Sequence, residues 1–292
     1  MKRQNYIWKN ILVSGIAIFL SGFPSFTQSL LWRITHSDLS EPSYLYGTIH
    51  ISDSRVFELR DTVYKYLDNC DAFAAELDLS METMITIAGM MMLPEGQTLN
   101  DRFNPEDYEL IRKAVKSCSG YDLSMFNKMK PPALIAICFA NTAPHNLEAT
   151  VDELLYKHAK ATGLSTFGIE TVEEQIALFD KIPDSYVLEY FRHIDQQDDE
   201  MENLIRCYRN ADLDSLLILI QDEESGSLLN DELIRHRNYR MAERIIPLIH
   251  EQPSFVAIGC GHLPGSEGVI ALLRKEGYKV EPVADIAVNA KR

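Results

Sequence analysis

Short apolar runs alternate with helical periods along this chain, and its two ends carry the same order of elements. Leu31-Trp32-Arg33-Ile34 and Ser43-Tyr44-Leu45-Tyr46 read as strands around a polar turn, His36 to Pro42. From Val56 to Leu67 the apolar residues Val56, Leu59, Val63, Tyr66 and Leu67 keep the spacing of one helix face. Ala72 to Ala75 then runs into Glu76-Leu77-Asp78 as the next strand. Strand, loop, helix, strand is a βαβ unit and predicts parallel pairing. The C-terminal segment repeats the plan. Phe255 to Ile258 is a strand, Gly259 to Gly265 a loop, Glu267 to Lys275 a helix stopped by Gly277, and Tyr278 to Val283 a strand.

The middle of the chain reads as helical. Ser80 to Leu93 is Met-rich and ends at Pro94-Glu95-Gly96, which predicts a helix in the core or over a groove. It is too short to span a bilayer. Pro105 to Lys116 is amphipathic, with Asn104 as cap and Pro105 in the first turn. Pro131-Pro132 opens another helix, and Leu147 to Ala161 a further one ended by Gly163. Ser165 to Ile169 reads as a third strand before the acidic opening Glu170 to Gln175, and more helices run from Pro183 to His250. No Gly, Pro or Ser-rich linker divides the chain. The expected fold is α/β, a parallel-containing central sheet with a large helical insertion.

Residues 1–29 read as a signal peptide, with an uncleaved signal anchor as the alternative. Lys2, Arg3 and Lys9 precede the apolar stretch Ile11 to Leu20, and small and polar residues follow at Ser25, Thr27 and Ser29. Residues 30–292 then form one domain. An exported protein of the periplasm or the extracellular space is expected, with no stable membrane span after cleavage. The formal charge of -15 would become about -18 on loss of the three leader cations. So acidic a chain, without a Lys/Arg cluster, disfavours nucleic acid and anionic membranes. The five cysteines, Cys70, Cys118, Cys138, Cys207 and Cys260, are scattered and odd in number. They predict mostly buried free thiols.

Candidate chemistry follows from strand direction. Ligands of open α/β sheets bind beyond the carboxyl ends of the strands. His50, Glu76, Glu170 and His262 fall at such ends. The two histidines close matching Gly-x-x-His tetrapeptides, Gly47-Thr48-Ile49-His50 and Gly259-Cys260-Gly261-His262. Imidazole plus carboxylate is a ligand set for Zn, Mn, Fe or Co. A catalytic site would use about three of the four and leave a position for water, with a remaining carboxylate as general base. The glycines permit close backbone approach, and helices after each motif would aim their N-termini at the same crevice. Arg237, Asn238 and Arg240 are candidates to orient a substrate carboxylate or stabilise an oxyanion. Asp152, Glu173 and Glu174 read as first-turn helix acids, and Cys260 as a packing residue. No GxSxG elbow, phosphate loop or HExxH helix is present. Gly259-Cys260-Gly261 does not continue as a dinucleotide fingerprint, since position 264 is Pro.

These motifs resemble the TraB/PrgY/GumN family, which includes the Tiki proteases of animals. The resemblance is carried by YLYGTIHISD at 44–53, AELD at 75–78 and VDELLYKHAKATGLSTFGIETVEEQ at 151–175. RNYRMA at 237–242 and AIGCGHLPGSEGVIALLRKEGYKV at 257–280 complete it. It implies a fold related to the erythromycin esterases and ChaN. It implies metal-dependent proteolysis, of Wnt ligands by animal members, and interference with peptide pheromones by bacterial plasmid members. Carried onto this chain, it points to His50 and His262 as the paired histidines and Glu76 and Glu170 as the strand-end acids. Arg237 and Asn238 are the polar positions before the last parallel strand.

The leading expectation is an exported metal-dependent peptidase. His50, His262 and Glu76 or Glu170 would bind Mn, Co or Zn, the other glutamate would activate water, and a peptide or protein would be the substrate. Two alternatives stay open: a non-catalytic protein that sequesters a peptide, haem or metal in the same crevice, and an esterase-like hydrolase of small molecules.

Overall fold

The computed structural model describes residues 29–142, 146–194, 197–220 and 231–283. The leader expected at 1–29 lies outside them except for Ser29. Six strands form one mixed sheet: β1 (Leu31–Thr35), β2 (Ser43–Thr48), β3 (Ala72–Ala75), β4 (Ser165–Gly168), β5 (Ser254–Gly259) and β6 (Lys279–Pro282). Their order across the sheet is β4-β3-β5-β2-β1-β6. The pairs β2/β5, β3/β5 and β3/β4 are parallel, and β1 runs antiparallel to both β2 and β6.

Both expected βαβ units are present, but neither pairs its own strands. β5 lies between β2 and β3, and β6 lies beyond β1 at the far edge. The register fits this layout: Tyr44 and Phe73 both pair with Phe255, on either side of it. Every residue of β2 and β3 is buried, as strands covered on both faces require. Helices Arg60–Leu67 and Val151–Thr162 pack on one another and on the sheet, while His236–Glu251 and Val269–Lys275 form a second such pair. Local sequence sets the helix limits. Asn104 accepts from the Glu106 and Asp107 N–H groups to start Pro105–Ser119. Gly163, with φ of 82°, takes the left-handed conformation that ends Val151–Thr162.

The insertion between β3 and β4 has its own small core, including Leu99, Ile111, Leu123 and Leu134, which Phe191 joins from helix Asp184–Arg192 beyond β4. A disulfide, Cys118–Cys138, joins helices Pro105–Ser119 and Pro131–Thr142 there. This corrects the expectation of free thiols for two of the five cysteines. Cys70, Cys207 and Cys260 are free and buried.

The Met-rich helix, Met81–Met90, also departs from expectation. It buries none of its residues, and Met81, Met84 and Ile85 are exposed. Its apolar side chains take up more of its circumference than the flank that packs on Val172–Phe179 covers, with Glu82, Thr83 and Thr86 on the remaining side. Among the described residues no helix is long and apolar enough to cross a membrane.

Candidate active site

The four strands β4, β3, β5 and β2 are mutually parallel, so their carboxyl ends share one edge. Glu170, Glu76, His262 and His50 follow those ends in that spatial order. The nearest pairing is at the backbone: the Glu170 N–H donates to the Glu76 carbonyl at 2.8 Å, extending the β3/β4 ladder by one step.

A single arginine braces the two carboxylates. Helix His236–Glu251 brings Arg237 over the edge in its first turn. The Arg237 Nη2 lies 2.5 Å from Glu76 Oε2 and 2.6 Å from Glu170 Oε2, and Nε donates to both Glu170 oxygens at 3.0 Å. Gln175 Nε2 donates to Oε2 of each glutamate at 3.1 Å. Arg240 Nη2 adds a contact of 3.5 Å to Glu170. The Glu170 side chain has no exposed surface, whereas Glu76 keeps 12%. Burial would raise the Glu76 carboxyl. The Arg237 cation, then His262, His50 and the Gly259 N–H outweigh that, and hold it well below the usual carboxylate range.

Gly259 earns its place by that last contact. Its N–H donates to Glu76 Oε1 at 2.7 Å. A Cβ at this position would stand 3.0 Å from the same oxygen. Gly47 is equally constrained, because a Cβ there would meet Leu263 Cδ1 at 2.7 Å and the Cys260 backbone at 3.2 Å. Its carbonyl accepts from the fully buried Tyr208 hydroxyl at 2.8 Å. A 3-10 turn, Ser54–Phe57, lies between the first motif and helix Arg60–Leu67, and the second motif itself closes in one, Cys260–His262, ahead of helix Val269–Lys275.

The two histidines are held in the same manner from different elements. The Asn238 amide donates to the Glu267 carbonyl at 2.8 Å, which turns Asn238 Oδ1 toward His262 Nδ1 at 2.6 Å. Nδ1 therefore carries the proton and Nε2 keeps its lone pair. That Nε2 faces Glu76 Oε1 at 3.7 Å. Burial, then the Arg237 cation, pull the His262 imidazole down to about 4, so it is neutral near pH 7. His50 lies at the rim with 61% of its side chain exposed, and its Nδ1 is 2.9 Å from Asp152 Oδ2. The contact is an ion pair by distance, since Oδ2 makes no hydrogen bond of good geometry. The Asp152 charge raises the His50 imidazole to about 9. Thr48 Oγ1 donates to the other Asp152 oxygen at 2.6 Å.

Each residue singled out in the sequence therefore has a definite place. Glu76, Glu170, Arg237 and His262 are joined in one network, with His50 at its rim. Asn238, almost fully buried, faces His262 and not the crevice. Glu174 caps helix Val172–Phe179 with Thr171 and pairs with Arg244 at 2.7 Å. Asp152 is the residue that sequence reasoning missed. It does sit in a first helical turn, but it is buried against β2 instead of serving the helix dipole. Thr150 and Glu153 already form the capping box there, and that was the available signal that Asp152 was free for another task.

Among the described residues no three His, Cys, Asp or Glu side chains are gathered closely enough to hold a metal ion as they stand. The donor chemistry nevertheless fits a divalent ion. A neutral imidazole with a free Nε2 faces an ionised carboxylate oxygen, and its Nδ1 is engaged by Asn238 Oδ1, as in metal sites with supported histidines. Glu170 fits this role least, because both of its oxygens are engaged by arginines and Gln175.

An α/β sheet with two histidines and two carboxylates along its carboxyl edge defines a protein with a histidine–carboxylate centre. The chain belongs to the TraB/PrgY/gumN family, whose model matches residues 30–282. It is similar to Metalloprotease TIKI1 of Danio rerio, 27% identical over 87% of this chain and 63% of the relative. Metalloprotease TIKI1 of Homo sapiens is 25% identical over 87% of this chain and 61% of the relative. The chain thus spans only about three-fifths of the length of these relatives. Uncharacterized protein YbaP of Shigella flexneri is 24% identical over 80% of this chain and 88% of its own length. No solved structure matches the chain.

Proposed function

We propose that this protein is a divalent-metal-dependent peptidase acting on peptide or protein substrates at the carboxyl edge of the sheet. The observation that carries the reading is the pairing of His262 Nε2 with Glu76 Oε1 at 3.7 Å, with Nδ1 of that histidine fixed by Asn238. The names of the TIKI relatives support metal-dependent proteolysis as the activity. His262 and Glu76 would hold the ion, with His50 as third donor, and Mn, Co and Zn suit imidazole plus carboxylate. Bound there, the ion would polarise a carbonyl and lower the pKa of a water toward 7.

The chain's own residues prepare the site. Arg237 keeps Glu76 ionised, and its N–H groups lie beside Glu76, where they favour developing negative charge on a substrate oxygen. Asn238 fixes the tautomer of His262. Glu170, fully buried, fixes Arg237 from behind, so Glu76 rather than Glu170 is the acid that meets substrate. We further assign residues 1–29 as a signal peptide, residues 30–292 as a single domain, and the periplasm or extracellular space as the location. The leader pattern supports this, and so does the Cys118–Cys138 disulfide, since such bonds persist in oxidising compartments. Kinship with the erythromycin-esterase and ChaN folds rests on the sequence resemblance.

A peptide library incubated with the purified protein and added Mn or Co tests the reading. Cleavage is expected from the wild type and is lost in Glu76→Gln. Stoichiometric binding without product would replace catalysis by sequestration. Ester turnover without peptide turnover would favour an esterase-like hydrolase.

A further inference from the structure

Asp152 has features that a solvated helix acid does not need. It is 5% exposed. Its helix starts on a complete capping box of Thr150 and Glu153, so the N-terminus does not require it. Its carboxylate instead reaches β2, where Thr48 Oγ1 donates to Oδ1 at 2.6 Å and His50 Nδ1 lies 2.9 Å from Oδ2. Thr48 and His50 are two residues apart at the end of one strand, so one carboxylate meets both. His50 itself is mostly exposed. Little but this carboxylate limits rotation of its ring.

We infer that Asp152, held by Thr48, is a positioning residue that fixes the His50 ring with Nδ1–H toward the carboxylate and Nε2 available to a divalent cation. It does for His50 what Asn238 does for His262, but with a charged acceptor. The inference rests on the metal-dependent reading above. Supporting acceptors of this kind typically change metal affinity by roughly 10–100-fold when removed. Asp152→Ala removes the support altogether. Asp152→Asn keeps the shape but offers one acceptor oxygen where two donors call, and its amide can impose the wrong tautomer on His50.

The test is Mn affinity by titration calorimetry on the full chain, with thermal unfolding in chelator as the fold control. Asp152→Ala is expected to weaken binding about 10–100-fold. Asp152→Asn, isosteric and safe for folding, is expected to weaken it by a smaller factor and decides the matter if the alanine variant does not fold. In a His50→Ala background, either substitution is expected to add little, because both act through the same ring. A merely structural Asp152 would lower the unfolding temperature and add its full effect in that background. Wild-type affinity in Asp152→Asn, or full additivity with His50→Ala, overturns the inference. A wild type that binds no Mn refutes the metal reading itself, a separate outcome.

Discussion

Arg237→Met removes a cation shared by the mostly buried Glu76 and the buried Glu170 while keeping side-chain length. Arg237 is 11% exposed, and it bonds Glu76 and Glu170 through contacts of 2.5 to 3.0 Å. Without it, Glu170 retains the Gln175 amide and the longer Arg240 contact, and Glu76 retains Gln175 and the Gly259 N–H. Removing one partner of a buried ion pair costs about 3–5 kcal/mol. For a domain of this size that lowers Tm by on the order of 10 °C. The sign with pH follows from Glu76, whose carboxyl is depressed in the folded wild type. Its contribution is fully present above the unfolded value near 4.3 and is lost as pH falls further. In the variant the Glu76 carboxyl loses the cation that offsets its burial, shifts upward and is relieved by protonation. The stability gap between wild type and variant is therefore largest near pH 7 and narrows toward pH 4. Urea unfolding of both proteins across that range measures it. A gap below about 1 kcal/mol at pH 7, typical of an exposed ion pair, or one that does not narrow with acid, would refute the clamp.

Three further outcomes follow from the same network. Imidazole NMR should find His262 titrating near pH 4 and His50 near pH 9 in metal-free protein; the depressed His262 stabilises the fold above pH 6.5 and that contribution fades on acidification, and titration of both near 6.5 would contradict the geometry. Gly259→Ala sets a Cβ 3.0 Å from Glu76 Oε1, so it should reduce metal affinity and turnover, while urea unfolding changes by only about 1–3 kcal/mol. Cys118→Ala with Cys138→Ala opens a bridge across a separation of 20 residues and should destabilise the helical insertion by about 3 kcal/mol; equal urea midpoints with and without the bridge would contradict this.

Strand direction made much of the site legible. His50, Glu76, Glu170 and His262 each follow a segment that reads as a strand, and a parallel sheet sends such positions to one edge. What the run cannot tell is which strands are neighbours. Chain order suggested β2 beside β3, yet β5 lies between them, because parallel strands can be joined across any number of neighbours at similar local cost. Asp152 was hidden for a related reason: its partners, Thr48 and His50, lie about a hundred residues away, while its local context matches an ordinary first-turn acid. The Cys118–Cys138 bridge depends on how two helices of the insertion meet, which neither sequence spacing nor helix periodicity records. The Met-rich helix shows the reverse: composition predicted a helix in the core or over a groove, but its apolar residues exceed what one packed flank covers and none of them is buried.

In the proposed centre the two Gly-x-x-His histidines and Glu76 hold a divalent ion at one sheet edge. Metal analysis after equilibration with Mn, on the wild type, His262→Ala, Glu76→Gln and the remote control His36→Ala, tests it most directly. The ion is expected to stay with the wild type and His36→Ala, and to be lost from His262→Ala and Glu76→Gln. Equal metal content in all four proteins would contradict it.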